Sequence, residues 1–200
     1  LTATDLDIIF IHQINNIEVF EKGKTTTTSS IMYDIVRKIS SGKKINLTLN
    51  DKNKLHLESD KSIFNLNCIS HTEFPVTDES FNQNEFSIKS KQFLKLLNKC
   101  KFSVSNDETR HYLSGIYLHQ TEVDEKKYLT AVATDSHRMS ISKIRLEKEI
   151  EFEPIILPKK TIFQLCSILE NSDGDVKISN MKSKIKFELG NSILISKLID

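Results

Sequence analysis

The chain has 200 residues, 38% of them hydrophobic, and a formal net charge of +1. That is enough apolar material for one large core or two modest ones. Bulk charge says nothing about a nucleic-acid partner, and no run of about eighteen apolar residues marks a membrane span.

Leu6, Ile8, Phe10 and His12 alternate with polar or outward residues and predict a first strand. Ser30 to Ile39 carries Ile31, Ile35, Val36 and Ile39 at helical spacing, with Ser29 or Ser30 as the expected cap and Gly42 beyond the end. Period-two runs follow at Ile45, Leu47 and Leu49, at Leu55 and Leu57, and at Phe64, Leu66 and Cys68. Phe74-Pro75 with Thr77-Asp78-Glu79-Ser80 reads as a linker. A second helix is predicted from Ser90, as its cap, to Phe102, with Phe93, Leu94, Leu97 and Cys100 inward. The third runs from Pro158, in its first turn, to Leu169. Strands then follow around Val176 and Ile178, around Ile185, Phe187 and Leu189, and around Leu194 and Leu198.

The chain repeats itself. Leu1-Thr-Ala-Thr-Asp5 returns as Leu129-Thr-Ala-Val-Ala-Thr-Asp135, an offset of 130 residues at the Thr-Asp pair. At that offset Tyr33-Asp34-Ile35 meets Phe163-Gln164-Leu165, Leu55-His56-Leu57 meets Ile185-Lys186-Phe187, and Ile63-Phe64 meets Ile193-Leu194. One residue of slippage is needed, near Ile45 and Val176. A shared offset across helical and extended stretches indicates a duplicated domain built of strand, helix and three strands, an α+β class. Roughly residues 81 to 128 have no counterpart in the first copy, so the chain is expected to be a fragment of a longer protein.

Cys68, Cys100 and Cys166 are odd in number and far apart, as expected of reduced thiols in a cytosolic protein, and no spacing suggests a metal site or another cofactor. Lys91, Lys95 and Lys99 line the side of the second helix opposite Phe93 and Leu97, and Lys159 and Lys160 open the third. From charge alone these faces are either solvated or phosphate-contacting.

Tyr128-Leu-Thr-Ala-Val-Ala-Thr-Asp-Ser-His-Arg-Met139 is the sharpest motif. It resembles the signature of the bacterial DNA polymerase III beta subunit family, the sliding clamps, in which a strand runs into Ala-Thr-Asp-(Gly or Ser)-His-Arg-Leu. Arg110-His-Tyr-Leu-Ser-Gly-Ile116, Ile156-Leu-Pro-Lys-Lys160, Ser196-Lys-Leu-Ile-Asp200 and Leu1-Thr-Ala-Thr-Asp-Leu-Asp7 are similar to further segments of that family. The resemblance covers the whole chain. It implies the DNA-clamp fold, with antiparallel sheets outside and helices lining an inner face. Residues 1 to 75 would be the C-terminal half of the first clamp domain and 81 to 200 the middle domain, with the third domain absent.

By the same resemblance the intact protein is a cytoplasmic homodimer ring that encircles double-stranded DNA without sequence preference. It would act as a processivity factor for DNA polymerase III, other polymerases and the clamp loader, with no catalytic residue, cofactor or metal. Lys91, Lys95, Lys99, His111, Tyr112, Lys159 and Lys160 would face DNA. Arg110, Leu113, Thr134, Ser136, His137, Arg138 and Met139 would form the middle-domain wall of a partner-peptide pocket. Lys61 and Phe64 would lie on the edge strand that meets the partner subunit.

Alternatives follow from the same residues. His137 and Arg138 could merely cap and pair within the domain. A duplicated β-rich module could bind peptides without DNA. Asp135-Ser136-His137 invites a hydrolase reading, which fails on geometry, since adjacent residues on a strand point to opposite faces and no Gly-rich elbow flanks Ser136.

Overall fold

The computed structural model describes residues 1–75, 85–148, 150–181 and 183–199. The expected linker at Thr77-Asp78-Glu79-Ser80 and the expected domain start at 81 lie outside those residues, as does Asp200. The first part of the chain forms β1 (Thr2–Thr4), β2 (Ile8–His12), β3 (Thr26–Thr27), α1 (Ser29–Val36), β4 (Asn46–Leu49), β5 (Lys54–Ser59) and β6 (Ser62–Ile69). Next come β7 (Glu85–Lys89), α2 (Ser90–Asn98), β8 (Gly115–Val123), β9 (Lys126–Thr134) and β10 (Met139–Arg145). The last stretch forms β11 (Ile155–Pro158), α3 (Lys159–Glu170), β12 (Asp175–Asn180), β13 (Lys184–Leu189) and β14 (Ser192–Lys197). Strand, helix and three strands thus occur three times, from β3, from β7 and from β11.

The repeat is visible element by element. β5 begins at Lys54 and β13 at Lys184, β6 at Ser62 and β14 at Ser192, and α1 at Ser29 and α3 at Lys159. Register also locates the slipped residue. Leu57 pairs with Leu47, while Phe187 pairs with Ile178, one position further on in the second copy.

The chain forms two compact units, Leu1–Asn15 with Glu79–Asp200, and Asn16–Asp78. In the larger unit, six strands run in the order β1-β2-β14-β13-β12-β7 and four in the order β10-β9-β8-β11. Strand β2, near the start of the chain, therefore pairs with β14, across the domain boundary expected near residue 75. Helix α3 buries Ile162, Leu165, Cys166 and Leu169, one stripe at helical spacing, and α2 buries Phe93, Leu96 and Leu97. Phe93 and Phe187 meet at 6.0 Å between ring centroids in this core. Each such burial contributes roughly 1.5–3 kcal/mol. Gly115 is required where β8 meets β11, since a Cβ there would lie 2.5 Å from the Leu157 carbonyl oxygen.

The smaller unit orders its strands β3-β6-β5-β4 over a core of Leu55, Leu57 and Leu66, against which Met32, Ile35, Ile39 and Phe64 pack. No residue of α1 is fully buried. Its α3 counterpart packs against α2.

Several boundaries differ from expectation. The strand expected from Leu6 is β2 and starts at Ile8, because Leu6 turns the backbone at φ 77°. Helix α1 stops at Val36, where the Lys38 and Ile39 amides tighten onto carbonyls three residues back. Its cap position is held by Thr28, not Ser29 or Ser30. Helix α2 stops at Asn98, and a separate 3-10 turn spans Lys101–Ser103. Ser90 is its first helical residue and bonds Ser172 Oγ at 3.1 Å instead of capping. Pro158 holds the cap position of α3 rather than a place inside it.

Candidate functional site

Beyond β9 the chain makes a tight turn through Thr134-Asp135-Ser136-His137-Arg138 before β10. The residue types dictate it. Thr134 Oγ1 donates to the Arg138 carbonyl at 2.8 Å and accepts from the Ser136 amide at 3.2 Å. Asp135 Oδ1 accepts from the amides of His137 at 3.1 Å and Arg138 at 3.0 Å, a carboxylate-centred turn. Ser136 takes φ 75° to complete it. These bonds, led by the His137 amide, hold the Asp135 carboxyl below its ordinary range.

Asp135, Ser136 and His137 therefore do not lie on a strand, which corrects the geometric premise used against a hydrolase. The Asp135 carboxylate is spent on its own turn and on Arg138 Nε, at 2.9 Å. Ser136 Oγ accepts from Arg110 at 2.8 Å. A nucleophile-base-carboxylate relay is not formed by these three residues.

Arg110 reaches the turn from the 3-10 segment Glu108–Leu113, where its own φ of −110° and ψ of 61° break the helix. Asp107 fixes it, accepting from Arg110 Nε at 2.8 Å while also taking the Thr109 amide and hydroxyl. The Asp107 carboxyl is lowered accordingly, first by Thr109 and then by Arg110. The two sequence-distant segments expected to lie together are thus bridged by one guanidinium. Leu113, at the end of the same segment, is half-buried, as is Thr134, while His137, Arg138 and Met139 are exposed. Met139 is 64% exposed, an unusual position for a thioether.

Arg138 is held on both sides, by Asp135 and by the ring of Phe102, whose centroid is 5.6 Å from its guanidinium carbon. The expectation that Arg138 pairs within the domain holds for this conformation. Phe102 is a site neighbour that the sequence does not reveal. It reads as the last apolar position of an amphipathic helix, and only the break after Asn98 turns it outward.

The basic residues divide. Lys91 pairs with Asp173 at 2.7 Å, and Lys160 pairs with Asp5. Lys159 donates to Asn106 Oδ1. Lys95 and Lys99 enter no ion pair among the described residues and line a groove of about 1170 Å³ between α2 and the far end of β10. Lys143, Arg145 and Lys148 face the same groove, cations that helical periodicity does not pick out; the carboxylates Glu85, Glu147, Glu151 and Asp175 share the lining. His111 and Tyr112 stand exposed on the 3-10 segment with their rings edge to face, 5.9 Å apart.

Lys61 is exposed in the smaller unit. Phe64 is half-buried, its side chain packing on the Leu55-Leu57-Leu66 core. Alternation puts Ile63 outward instead, 59% exposed. Among the described residues no group of His, Cys, Asp and Glu could hold a metal ion, and no helix is long and apolar enough to cross a membrane.

Two family models match the chain: the N-terminal domain of the DNA polymerase III beta subunit over residues 1–78, and its central domain over residues 87–200. The beta sliding clamp of Caulobacter vibrioides is 30% identical over all of this chain and 54% of its own length. That of Rickettsia felis is 35% identical over all of this chain and 52% of its own. A crystal structure of the C. crescentus beta sliding clamp, with PEG in the region assigned there to beta-motif tethering, superposes with a TM-score of 0.94 at 30% identity, covering 100% of this chain and 53% of that one. The Bartonella birtlesii sliding clamp bound to griselimycin gives 0.93 at 32% identity, with the same coverage. The fold is the clamp fold, and the chain spans about half the length of the curated relatives it matches.

Proposed function

Because the chain belongs to the DNA polymerase III beta subunit family, we propose that it is part of a sliding clamp, a non-catalytic processivity factor that encircles duplex DNA and tethers polymerases. The observation that carries this reading is the match of both family domains in order along the chain, over a duplicated clamp fold. Residues 1 to 75 then belong to the first clamp domain and 81 to 200 to the middle one, and the intact protein works in the cytoplasm as a dimeric ring.

Holding DNA by topology needs attraction to phosphates that is diffuse and sequence-blind. Lys95 and Lys99 suit this best, since neither enters an ion pair among the described residues. Lys91, Lys159 and Lys160 exchange a protein partner for phosphate, and His111 and Tyr112 add an exposed aromatic contact. The peptide site is the turn at Thr134 to Met139 with Arg110 and Leu113. Met139 and Leu113 provide an adaptable apolar floor, and His137 and Arg138 orient the incoming backbone. Its clients are polymerases and the clamp loader. The tethering region and the griselimycin complex of the related clamps support a ligand site on this fold. Lys61 and the strand bearing Phe64 form the edge toward the partner subunit.

The test is topological. The intact protein, loaded by its clamp loader, should stay on nicked circular DNA through gel filtration and be lost when the circle is linearised. A peptide-binding module without DNA function would bind client peptide yet show no difference between circle and line.

A further inference from the structure

Helix α3 buries Ile162, Leu165, Cys166 and Leu169, yet Phe163, off that stripe, stands 48% exposed. Phe102, on the 3-10 turn after α2, stands 56% exposed. A single exposed ring is ordinary and needs no explanation. These two are linked by a cation. The Nζ of Lys101 lies 5.8 Å from the Phe163 centroid, and its chain neighbour is Phe102, over whose ring Arg138 lies at 5.6 Å. Ring, cation, ring and cation thus follow one another from α3 to the turn before β10.

The run is held in place from below. Ser103 Oγ and Ser140 Oγ share a hydrogen bond of 2.6 Å, and Cys100 Sγ donates to the carbonyls of Ala131 at 3.4 Å and Ser140 at 3.7 Å. Lys101 and Phe102 are therefore presented by a turn pinned on both sides to β9 and β10. A contact surface fixed beforehand loses little entropy when a ligand settles on it. Lys101 enters no ion pair among the described residues, so its charge is open to an anion.

We infer that this run is a stacking site for unpaired nucleobases, through which the chain holds single-stranded DNA by a contact that a duplex cannot make. Flat apolar faces alternating with positive charge match a strand in which bases alternate with phosphates. Phe163 and Phe102 take base faces, and Lys101 and Arg138 take the phosphates between them. In a duplex both faces of each base are already covered by its neighbours, so only the phosphates remain available. An acidic peptide rich in aromatic residues has a similar pattern. Nucleic acid is favoured because Lys159 and Lys160 open the helix that carries Phe163. The inference rests on the proposed reading of that helix as a DNA face and adds a preference to it, since lysines alone do not tell one strand from two.

Fluorescence anisotropy tests this on the 200-residue chain with three labelled probes: a single-stranded oligothymidylate, an abasic strand of the same length, and a blunt duplex. Oligothymidylate should bind at least about fivefold more tightly than the abasic strand, which keeps the phosphates and lacks the bases. Phe163→Ala and Phe102→Ala should each weaken oligothymidylate by about fivefold or more and leave the abasic strand and the duplex unchanged. Both rings are exposed, so the variants should fold, as circular dichroism checks. Phe163→Tyr keeps the ring face and should keep the affinity. The chain has no tryptophan, so Phe163→Trp supplies a single reporter, whose emission should fall with oligothymidylate and stay constant with the abasic strand. No binding of oligothymidylate, equal binding of the abasic strand, or a folded Phe163→Ala that binds as wild type would overturn the inference. So would a Phe163→Ala that loses a polymerase-tail peptide and keeps oligothymidylate, which would assign the run to a protein partner. Retention on circular DNA tests the clamp reading separately. Retention with no dependence on bases sinks the stacking site alone, and dependence on bases without retention sinks the clamp reading alone.

Discussion

Leu6 and Ser136, 130 residues apart, hold the same left-handed backbone conformation, φ 77° and 75°. Each sits in the same turn. Thr4 Oγ1 donates to the Ile8 carbonyl and accepts from the Leu6 amide, while Asp5 Oδ1 accepts from the Asp7 and Ile8 amides. Thr134 and Asp135 make the same four bonds. What differs is the surroundings. Asp5 and Asp7 reach Lys160 and Lys197, whereas Ser136 and Asp135 meet Arg110 and Arg138. One turn has been kept twice, once to fasten the start of the chain to α3 and β14, and once to present an open surface.

The shared strain gives unequal expectations for the same substitution. An L-residue in this region costs about 1–2 kcal/mol, and glycine returns part of that gain as unfolded-chain entropy, about 0.5–1 kcal/mol. Leu6→Gly should therefore stabilise by up to roughly 1 kcal/mol, for the Leu6 side chain is exposed. Ser136→Gly should come out near zero, since it also loses the hydrogen bond from Arg110, worth about 0.5–1.5 kcal/mol. Urea denaturation of the two variants side by side measures the difference. A destabilised Leu6→Gly would show that the turn is not strained at that position.

Much of the fold is legible in the sequence because the repeat checks each element against a second copy. Leu55 and Leu57 alternate as Ile185 and Phe187 do, and even the slipped residue falls where the offset puts it, at β4 and β12. Helix ends are less legible. Phe93, Leu97 and Cys100 keep helical phase past the true end of α2, so periodicity alone carries the helix on to Phe102. The turn residues of the site announce themselves through Thr-Asp chemistry. Its neighbours do not. Phe102 under Arg138 acts through a contact between distant segments that no local pattern records, as does the reach of Arg110 to Ser136. The outward role of Ile63 against the inward Phe64 needs the register of β6.

Met139 offers the sharpest test of the peptide site. An apolar anchor in a small interface carries on the order of 2 kcal/mol or more. Met139→Lys in the intact protein should weaken a fluorescent polymerase-tail peptide at least about 30-fold. The side chain is exposed, so stability should stay within about 0.5 kcal/mol of wild type and dimerisation should be unaffected. Equal affinity for wild type and variant would place the pocket elsewhere.

The lysines should separate by their partners. Lys91→Glu with Lys95→Glu should weaken DNA retention without touching peptide affinity, and should flatten the dependence of log K on log salt by about 0.9 for each phosphate no longer neutralised. Lys91 is engaged by Asp173. Removing that carboxylate, as Asp173→Asn, should free Lys91 and tighten DNA binding at low salt, an effect that fades as salt rises. DNA retention measured from low to moderate salt distinguishes the cases. Loss of binding in Asp173→Asn would mean that Lys91 does not face DNA.

Acid should open the site before it affects the core. The Asp135 carboxyl lies below its ordinary value of 3.8, chiefly through the His137 amide. Asp107 lies below the same value, through Thr109 and then Arg110. For a carboxyl lowered by folding, the stabilisation is complete above the unfolded value and disappears as pH falls through the folded one. Peptide affinity should thus be insensitive to these two groups across neutral pH, and the turn should loosen only below pH 3.8. Amide proton shifts of His137 and Arg138 report on it directly, since both donate to Asp135 Oδ1. They should titrate together with a midpoint below 3.8. In Asp135→Asn the amides keep an oxygen acceptor but Arg138 loses its charged partner, so the acid transition should vanish and the Arg138 side chain should become mobile on the Phe102 ring. A midpoint at or above the ordinary carboxylate value in the wild type would mean that the turn is not held by a charged Asp135.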